Sequence, residues 1–363
     1  MINKLYNFNW LFIFLVIILA NIGFIALYSA AGSSLDPWAK KQIIRFVFGL
    51  ILVFIISFIN IRYWKKYAYH IFIFSFLLII GVEFFGDQRY GAQRWINIFG
   101  INIQPSELIK VTLILALSKF YSEIRYDHIG YIRNLFIPFL LIIIPFIFII
   151  LQPDLGTALM FFILGIFIMF IAGVRIWKFI LSFFLTLITL PLAWNYLLKG
   201  YQKKRILSFL NPESDPLGSG YHLIQSKIAL GSGGAYGKGF LKGSQSYLDF
   251  LPEKQTDFIF TMIGEEFGFI GSLFIISLYF LLILLCFYIA FQSFSIFGRI
   301  VAIGVGINLF LYVFLNTSMV IGMIPIVGVP LPLLSYGGTV MLSCMISFGF
   351  LQNVSVHRQL KIG

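Results

Sequence analysis

Leu251 to Gly268 reads LPEKQTDFIFTMIGEEFG, a polar segment that runs into an apolar one with Asp257 at the junction. Continued as a helix from Asp257, the small and polar residues recur at Asp257, Thr261, Gly264, Gly268 and Gly271. Such spacing keeps side chains on one helix face. Phe258, Ile259, Met262, Ile263, Phe267 and Ile270 point elsewhere. The stretch therefore predicts a helix with one thin face carrying a carboxylate and greasy faces around the rest. In a membrane the greasy faces meet lipid or packed helices, and the thin face meets neighbouring helices or a cavity.

The composition points the same way. Of 363 residues, 60% are hydrophobic and 11% charged, and the mean hydropathy is +0.96. A soluble domain carries roughly a quarter charged residues. The charges are also unevenly spread, leaving charge-free runs such as Leu5 to Leu35, Asn134 to Pro153, Phe267 to Gly298 and Ile300 to His357. Runs of about 18 or more apolar residues are long enough to span hydrocarbon as a helix. The expected fold is an all-α polytopic membrane protein: one integral-membrane unit over residues 1–363, with ten transmembrane helices. A large extracytoplasmic loop, about residues 199–256, joins helices 7 and 8, and the eighth span begins near Asp257.

Orientation follows from the short loops. Arg62, Lys65, Lys66, Lys119, Arg125, Arg133, Arg175, Lys178, Arg299, Arg358 and Lys361 fall on one side. That side is cytoplasmic by the positive-inside rule, against the exceptions Lys40, Lys41, Arg89 and Arg94. Both termini are then cytoplasmic. The large loop carries Lys199, Lys203, Lys204, Arg205, Lys227, Lys238, Lys242 and Lys254 against Glu213, Asp215, Asp249 and Glu253. Such a surface either keeps the loop solvated or suits an anionic partner such as a lipid diphosphate. Nucleic acid is not an expected partner.

Several chemistries are excluded. The loop LGSGGAYGKGFLKGS has Ser232 where a P-loop needs its first glycine, and Gly239 where Ser or Thr should follow Lys238. Its glycines are read as tight turns against a membrane surface. Cys286 and Cys344 both lie in apolar runs, which makes them small buried hydrophobes rather than a disulfide or a metal site. No internal repeat suggests a secondary transporter.

The charges beside apolar helices are the informative ones. Glu107 and Lys110 share a helix face. They form either a structural ion pair or one that lines a substrate cavity. Asp154 follows Pro153 at a helix break, where capping is the commoner role. Arg94 and Trp95 lie in an outer loop, and a Trp at that depth is usually an interfacial anchor. Glu265 or Glu266 is expected to pair with a loop cation.

GAQRW at Gly91, QPSELIK at Gln104 and QPDLGT at Gln152 occur in order, followed by NPESDPLGSGYHLIQSKIALGSGGAYGKG from Asn211, FLPEKQTDFIF from Phe250 and VPLPLLSYGG from Val329. Together these motifs resemble the SEDS family of shape, elongation, division and sporulation proteins, over the whole chain. The DPLGSGYHLIQSKIA and QSYLDFLPEKQTDFIF stretches, and the lack of a long cytoplasmic N-terminal extension, resemble its elongation branch. Two departures stand out: Gln255 where the pattern often has His, and Thr339 and Val340 after the glycines where it often has SYGGSS.

The resemblance implies a peptidoglycan glycosyltransferase on the outer face of the bacterial cytoplasmic membrane. Its substrate would be lipid II, an undecaprenyl-diphosphate disaccharide pentapeptide, and its partner a class B penicillin-binding protein of the elongation machinery. The resemblance also puts Asp257 at the acidic position on which polymerase activity is taken to depend. The chemistry of the residues agrees. A sugar hydroxyl must attack an anomeric carbon, and a carboxylate can take its proton as general base. The leaving diphosphate needs cations more than a general acid. Lys110, Arg94 and Lys227 are candidates, with Glu107 and Trp95 beside them in the substrate site. One carboxylate with a diphosphate leaving group fits inversion. No cofactor follows from the residues, and a divalent cation is left open. Two other readings remain: a lipid II flippase, which needs a polar path across the bilayer, and a non-catalytic scaffold, which needs no carboxylate at the cavity mouth.

Overall fold

The computed structural model describes residues 5–89, 92–98, 101–192, 194–195, 200–215, 218–243 and 253–360. Twelve α-helices run through them. In chain order they are α1 (Trp10–Ala30), α2 (Ala39–Phe58), α3 (Ile61–Phe85), α4 (Pro105–Glu123), α5 (Ile132–Leu151), α6 (Leu155–Ala172) and α7 (Ile176–Leu192), then α8 (Gly200–Leu210), α9 (Ser219–Ser232), α10 (Ile259–Gln292), α11 (Ile296–Ile321) and α12 (Gly338–Val356). Eight of these, α1 to α3, α5, α6 and α10 to α12, are long and apolar enough to cross a membrane. The other two predicted spans are present as helices that miss that mark for plain reasons. Helix α4 carries Glu107, Lys110, Lys119 and Glu123, and α7 is only 17 residues long.

The all-α polytopic architecture is as expected, with two additions. The large loop contains α8 and α9. A small sheet also interrupts the helices. Three short strands, β1 (Asp87–Arg89), β2 (Ala92–Ile98) and β3 (Ile101–Ile103), form an antiparallel sheet in the order β1-β2-β3 between α3 and α4. Alternating side chains in QRW and INI, bounded by glycines, suit a hairpin meander better than a helix.

Helix α12 runs through the middle of the bundle and is held by small residues and buried amides. Gly49 of α2 faces Met345, and Gly349 faces Ile56, the close small-residue packing that membrane helices use in place of a hydrophobic drive. Asn353 Nδ2 donates to the Ile56, Ser57 and Ile59 carbonyls at the end of α2. Gln352 takes the Asn9 N–H and gives its amide to the Asn9 carbonyl. Each amide satisfies helix-end groups that hydrocarbon cannot. Cys286 and Cys344 are buried in α10 and α12.

Helix α10 departs from the regular helix expected from Asp257. It starts at Ile259 and breaks at Gly268, whose φ of 68° and ψ of −162° only glycine tolerates. The glycine-rich loop fills the break. The Lys238 and Gly239 N–H groups donate to the Glu265 and Glu266 carbonyls, and the Phe269 and Ile270 N–H groups donate to Gly234 and Ala235. The loop's glycines thus serve close backbone approach to a broken helix, rather than turns on a membrane surface. Thr261 and Gly264 pack on α9, where Ser226 Oγ lies 2.9 Å from Thr261 Oγ1. The thin face therefore meets a neighbouring helix, as its composition requires. Lys238 Nζ pairs with Glu265 Oε1 at 2.7 Å, the loop cation expected for this acid pair.

Candidate active site

The 255–257 segment is fixed through its carbonyls. Tyr336 N–H donates to Gln255 O (2.8 Å), Ser335 Oγ to Thr256 O (2.6 Å) and Asn316 Nδ2 to Asp257 O (3.0 Å). The donors come from α11 and from the VPLPLLSYGG loop. That loop is itself tied down by Asn316 to Val329 O (2.7 Å) and by Gln42 to Ser335 O (2.9 Å). Such support holds one side chain within a narrow range of positions.

The side chain so held is Asp257. It does not cap α10, because Phe258 is the N-cap residue and no side chain caps that end. Its carboxylate is hydrogen-bonded by no described residue. It faces a cavity of about 570 Å³ lined also by Arg45, Arg94, Trp95, Glu107, Arg205 and Tyr336. Asp257 is partly buried where it lines that cavity. Burial pushes its carboxyl up to about 7; Glu253 and Asp154 act in the same direction and Arg205 opposes them. An acid with that pKa is half ionised near neutral pH, as a general base should be.

The other predicted site residues divide. Glu107 lines the cavity, but Lys110 does not: it is fully buried behind it. Lys110 Nζ lies 2.9 Å from Glu107 Oε1 and 2.6 Å from the Tyr312 hydroxyl, which donates to Glu107 Oε2. The pair is therefore structural on the lysine side and reaches the cavity on the glutamate side. Arg94 and Trp95 reach the cavity from β2. Arg94 is already engaged with the turn between α5 and α6. Its Nε donates to Gln152 O (3.1 Å), Nη2 donates to Pro153 O, and Nη1 stands 3.9 Å from Asp154. Trp95 is part of the cavity wall rather than only an interfacial anchor. Asp154 does cap α6, by accepting from Thr157 N–H at 3.4 Å, and it also accepts from Gln104 Nε2 at 2.8 Å.

Lys227 stands apart from the cavity. Helix α9 turns Leu223, Ser226 and Leu230 inward, so Lys227 points outward toward Gly322. Its place near the site in the sequence reflects a motif, not proximity. Two residues escaped the sequence reading. Arg45 follows Lys40 and Lys41 by about one turn in α2 and lies within its apolar run, where an intramembrane cation is itself a signal of function. Arg205, from α8, could not be told apart from the other loop cations. Among the described residues no group of three or more His, Cys, Asp or Glu side chains could hold a metal ion.

Comparison with known proteins bears on the family and the fold. The family profile described as "Cell cycle protein", covering FtsW, RodA and SpoVE, matches residues 9–360. The chain is 40% identical to the peptidoglycan glycosyltransferase MrdB of Escherichia coli K12 over 349 residues, covering 95% of this chain and 93% of that protein. It is 36% identical to stage V sporulation protein E of Bacillus subtilis over 356 residues, covering 95% and 96%. A solved peptidoglycan synthase complex contains a chain that superimposes with a TM-score of 0.85 at 29% identity, covering 97% and 98%. The crystal structure of the rod shape determining protein RodA of Thermus thermophilus superimposes with a TM-score of 0.73 at 26% identity, covering 97% and 98%. With the profile spanning nearly its full length and relatives of this identity, the chain belongs to the FtsW/RodA/SpoVE family of multi-pass membrane proteins.

Proposed function

We propose that this protein is a peptidoglycan glycosyltransferase that polymerises lipid II into glycan strands for side-wall elongation, with Asp257 as its general base. One observation carries the reading. A carboxylate with no hydrogen-bond partner among the described residues, held by its backbone and pushed up to about 7, faces a cavity lined also by Arg45, Arg94, Glu107 and Arg205. The acceptor hydroxyl oxygen attacks the anomeric carbon of the donor, and its proton passes to Asp257. The bond from that carbon to the diphosphate oxygen breaks, and its electron pair leaves with the undecaprenyl diphosphate. The attack comes opposite the leaving group and inverts the centre. Glu107 and Trp95 flank the sugar, and Arg94 fixes the cavity wall. A membrane-embedded cavity suits a substrate whose tail stays in lipid while its head reaches the carboxylate.

The protein acts in the bacterial cytoplasmic membrane with its cavity outward, beside a class B penicillin-binding protein that cross-links the strands. The purified chain in detergent, with that partner, should make long glycan from labelled lipid II. Strands without a bilayer require a polymerase. A flippase or a scaffold makes none, and a product of unextended lipid II would overturn the reading.

Topology is tested separately. A reporter fused after Lys361 should behave as cytoplasmic, and one inserted near Ser214, which precedes α9, should behave as extracytoplasmic. An extracytoplasmic C-terminus would contradict an even number of spans.

A further inference from the structure

Most cations near the cavity are already engaged. Lys110 is held by Glu107 and Tyr312. Arg94 is held by the turn between α5 and α6. Arg205 donates to Ile326 O at 3.3 Å. Arg45 differs. It lies about 9 Å along α2 from the helix start. Its guanidinium rests over the Tyr336 ring, 4.9 Å from the centroid. Its Nη1 is buried with no hydrogen-bond partner, and no carboxylate among the described residues forms an ion pair with it. An arginine left so at membrane depth is costly unless it pairs or meets water in a cavity.

The guanidinium lies against the start of α12. Residues 336–340 line the same cavity, and no side chain caps that helix end. The first helical bond runs from Met341 N–H to Gly337 O. The Gly337 N–H donates to Gln42 Oε1 at 3.5 Å, and the N–H groups of Gly338, Thr339 and Val340 are outside the helical ladder, at the positive end of the helix dipole. A Cβ on Gly338 would stand 3.0 Å from Arg45 Cζ, so glycine there lets the two approach.

We propose that Arg45, together with the first turn of α12, forms the subsite that binds a phosphate of the substrate's lipid-linked diphosphate and steadies it as the leaving group. A guanidinium fork and orphan N–H groups both suit phosphate oxygens. The identity of the anion rests on the glycosyltransferase reading; the anion site itself rests on Arg45.

The test reads binding without turnover, using the purified full chain in detergent. Undecaprenyl diphosphate, undecaprenol and inorganic pyrophosphate are titrated against wild type, Arg45→Gln, Arg45→Lys and Asp257→Asn. Arg45→Gln should weaken undecaprenyl diphosphate by about tenfold or more, leave undecaprenol unchanged, and flatten the salt dependence. Arg45→Lys should recover part of the affinity, and Asp257→Asn, which removes a negative charge from the same cavity, should bind at least as tightly as wild type. Without ligand, Arg45→Gln should melt no lower than wild type, because it removes an unpaired cation. Undiminished diphosphate binding, or an equal loss for undecaprenol, would overturn the subsite. Pyrophosphate binding as tight as the lipid would overturn its assignment to the substrate. Full activity of Asp257→Asn would remove the base and leave this result standing.

Discussion

Asp257→Asn should abolish glycan-strand formation while the protein still folds and co-purifies with its partner. Asn keeps the shape of the side chain but cannot take a proton from the acceptor. Removal of a general base costs about 10² to 10⁴-fold in turnover. Helix capping cannot explain such a loss, because Asp257 caps nothing in this fold. The pH profile adds a second signature. Wild-type turnover should rise with pH through about 7 and level off above it, as the carboxyl ionises. Stability should run the opposite way. The folded-state pKa is raised, so the neutral acid is favoured in the fold, and stability falls as pH climbs from the ordinary carboxylate range through about 7. The Asn variant loses that dependence, and above pH 7 it should melt at or above wild type. Near-normal strands from the variant, or a wild-type profile flat across neutral pH, would take Asp257 out of the chemistry.

Lys110→Met should be the most destabilising single change near the cavity. It leaves the Glu107 carboxylate buried with only the Tyr312 hydroxyl, and breaking a buried pair this way costs about 3–5 kcal/mol. Tyr312→Phe should cost less, since the ion pair survives. Because an apolar replacement of both partners is often tolerated, Glu107→Leu with Lys110→Met should regain most of the stability. It should not regain activity, since Glu107 is the member that lines the cavity. The charge swap Glu107→Lys with Lys110→Glu should recover part of what either single change loses, with a coupling read from the double-mutant cycle. Unfolding in mixed micelles and strand formation measure the two effects separately. Additive single effects would show that the pair is not a unit.

That this chain spans a membrane, roughly where each span lies, and which family it resembles are legible in the residues alone. Those are local or linear properties: long apolar runs, the sign of short loops, and ordered motifs such as FLPEKQTDFIF. The sequence also brought out Asp257, because a carboxylate where a polar segment meets an apolar one is conspicuous along the chain. It could not separate Lys110 and Lys227 from the cations that face the cavity. Which way a lysine points depends on the partner its helix packs against, and Tyr312 is 202 residues from Lys110. It read Asp257 into a helix because helical spacing continues through Gly268, whereas the break there is set by the loop at 233–239 bonding to it. Along the chain Arg45 looks like a continuation of the Lys40–Lys41 loop charges, and its significance comes from Tyr336 and Gly338, brought beside it only when α12 packs along α2. Those points follow from packing, because burial, pairing and the facing of a side chain are properties of distant residues in contact, which no local pattern encodes.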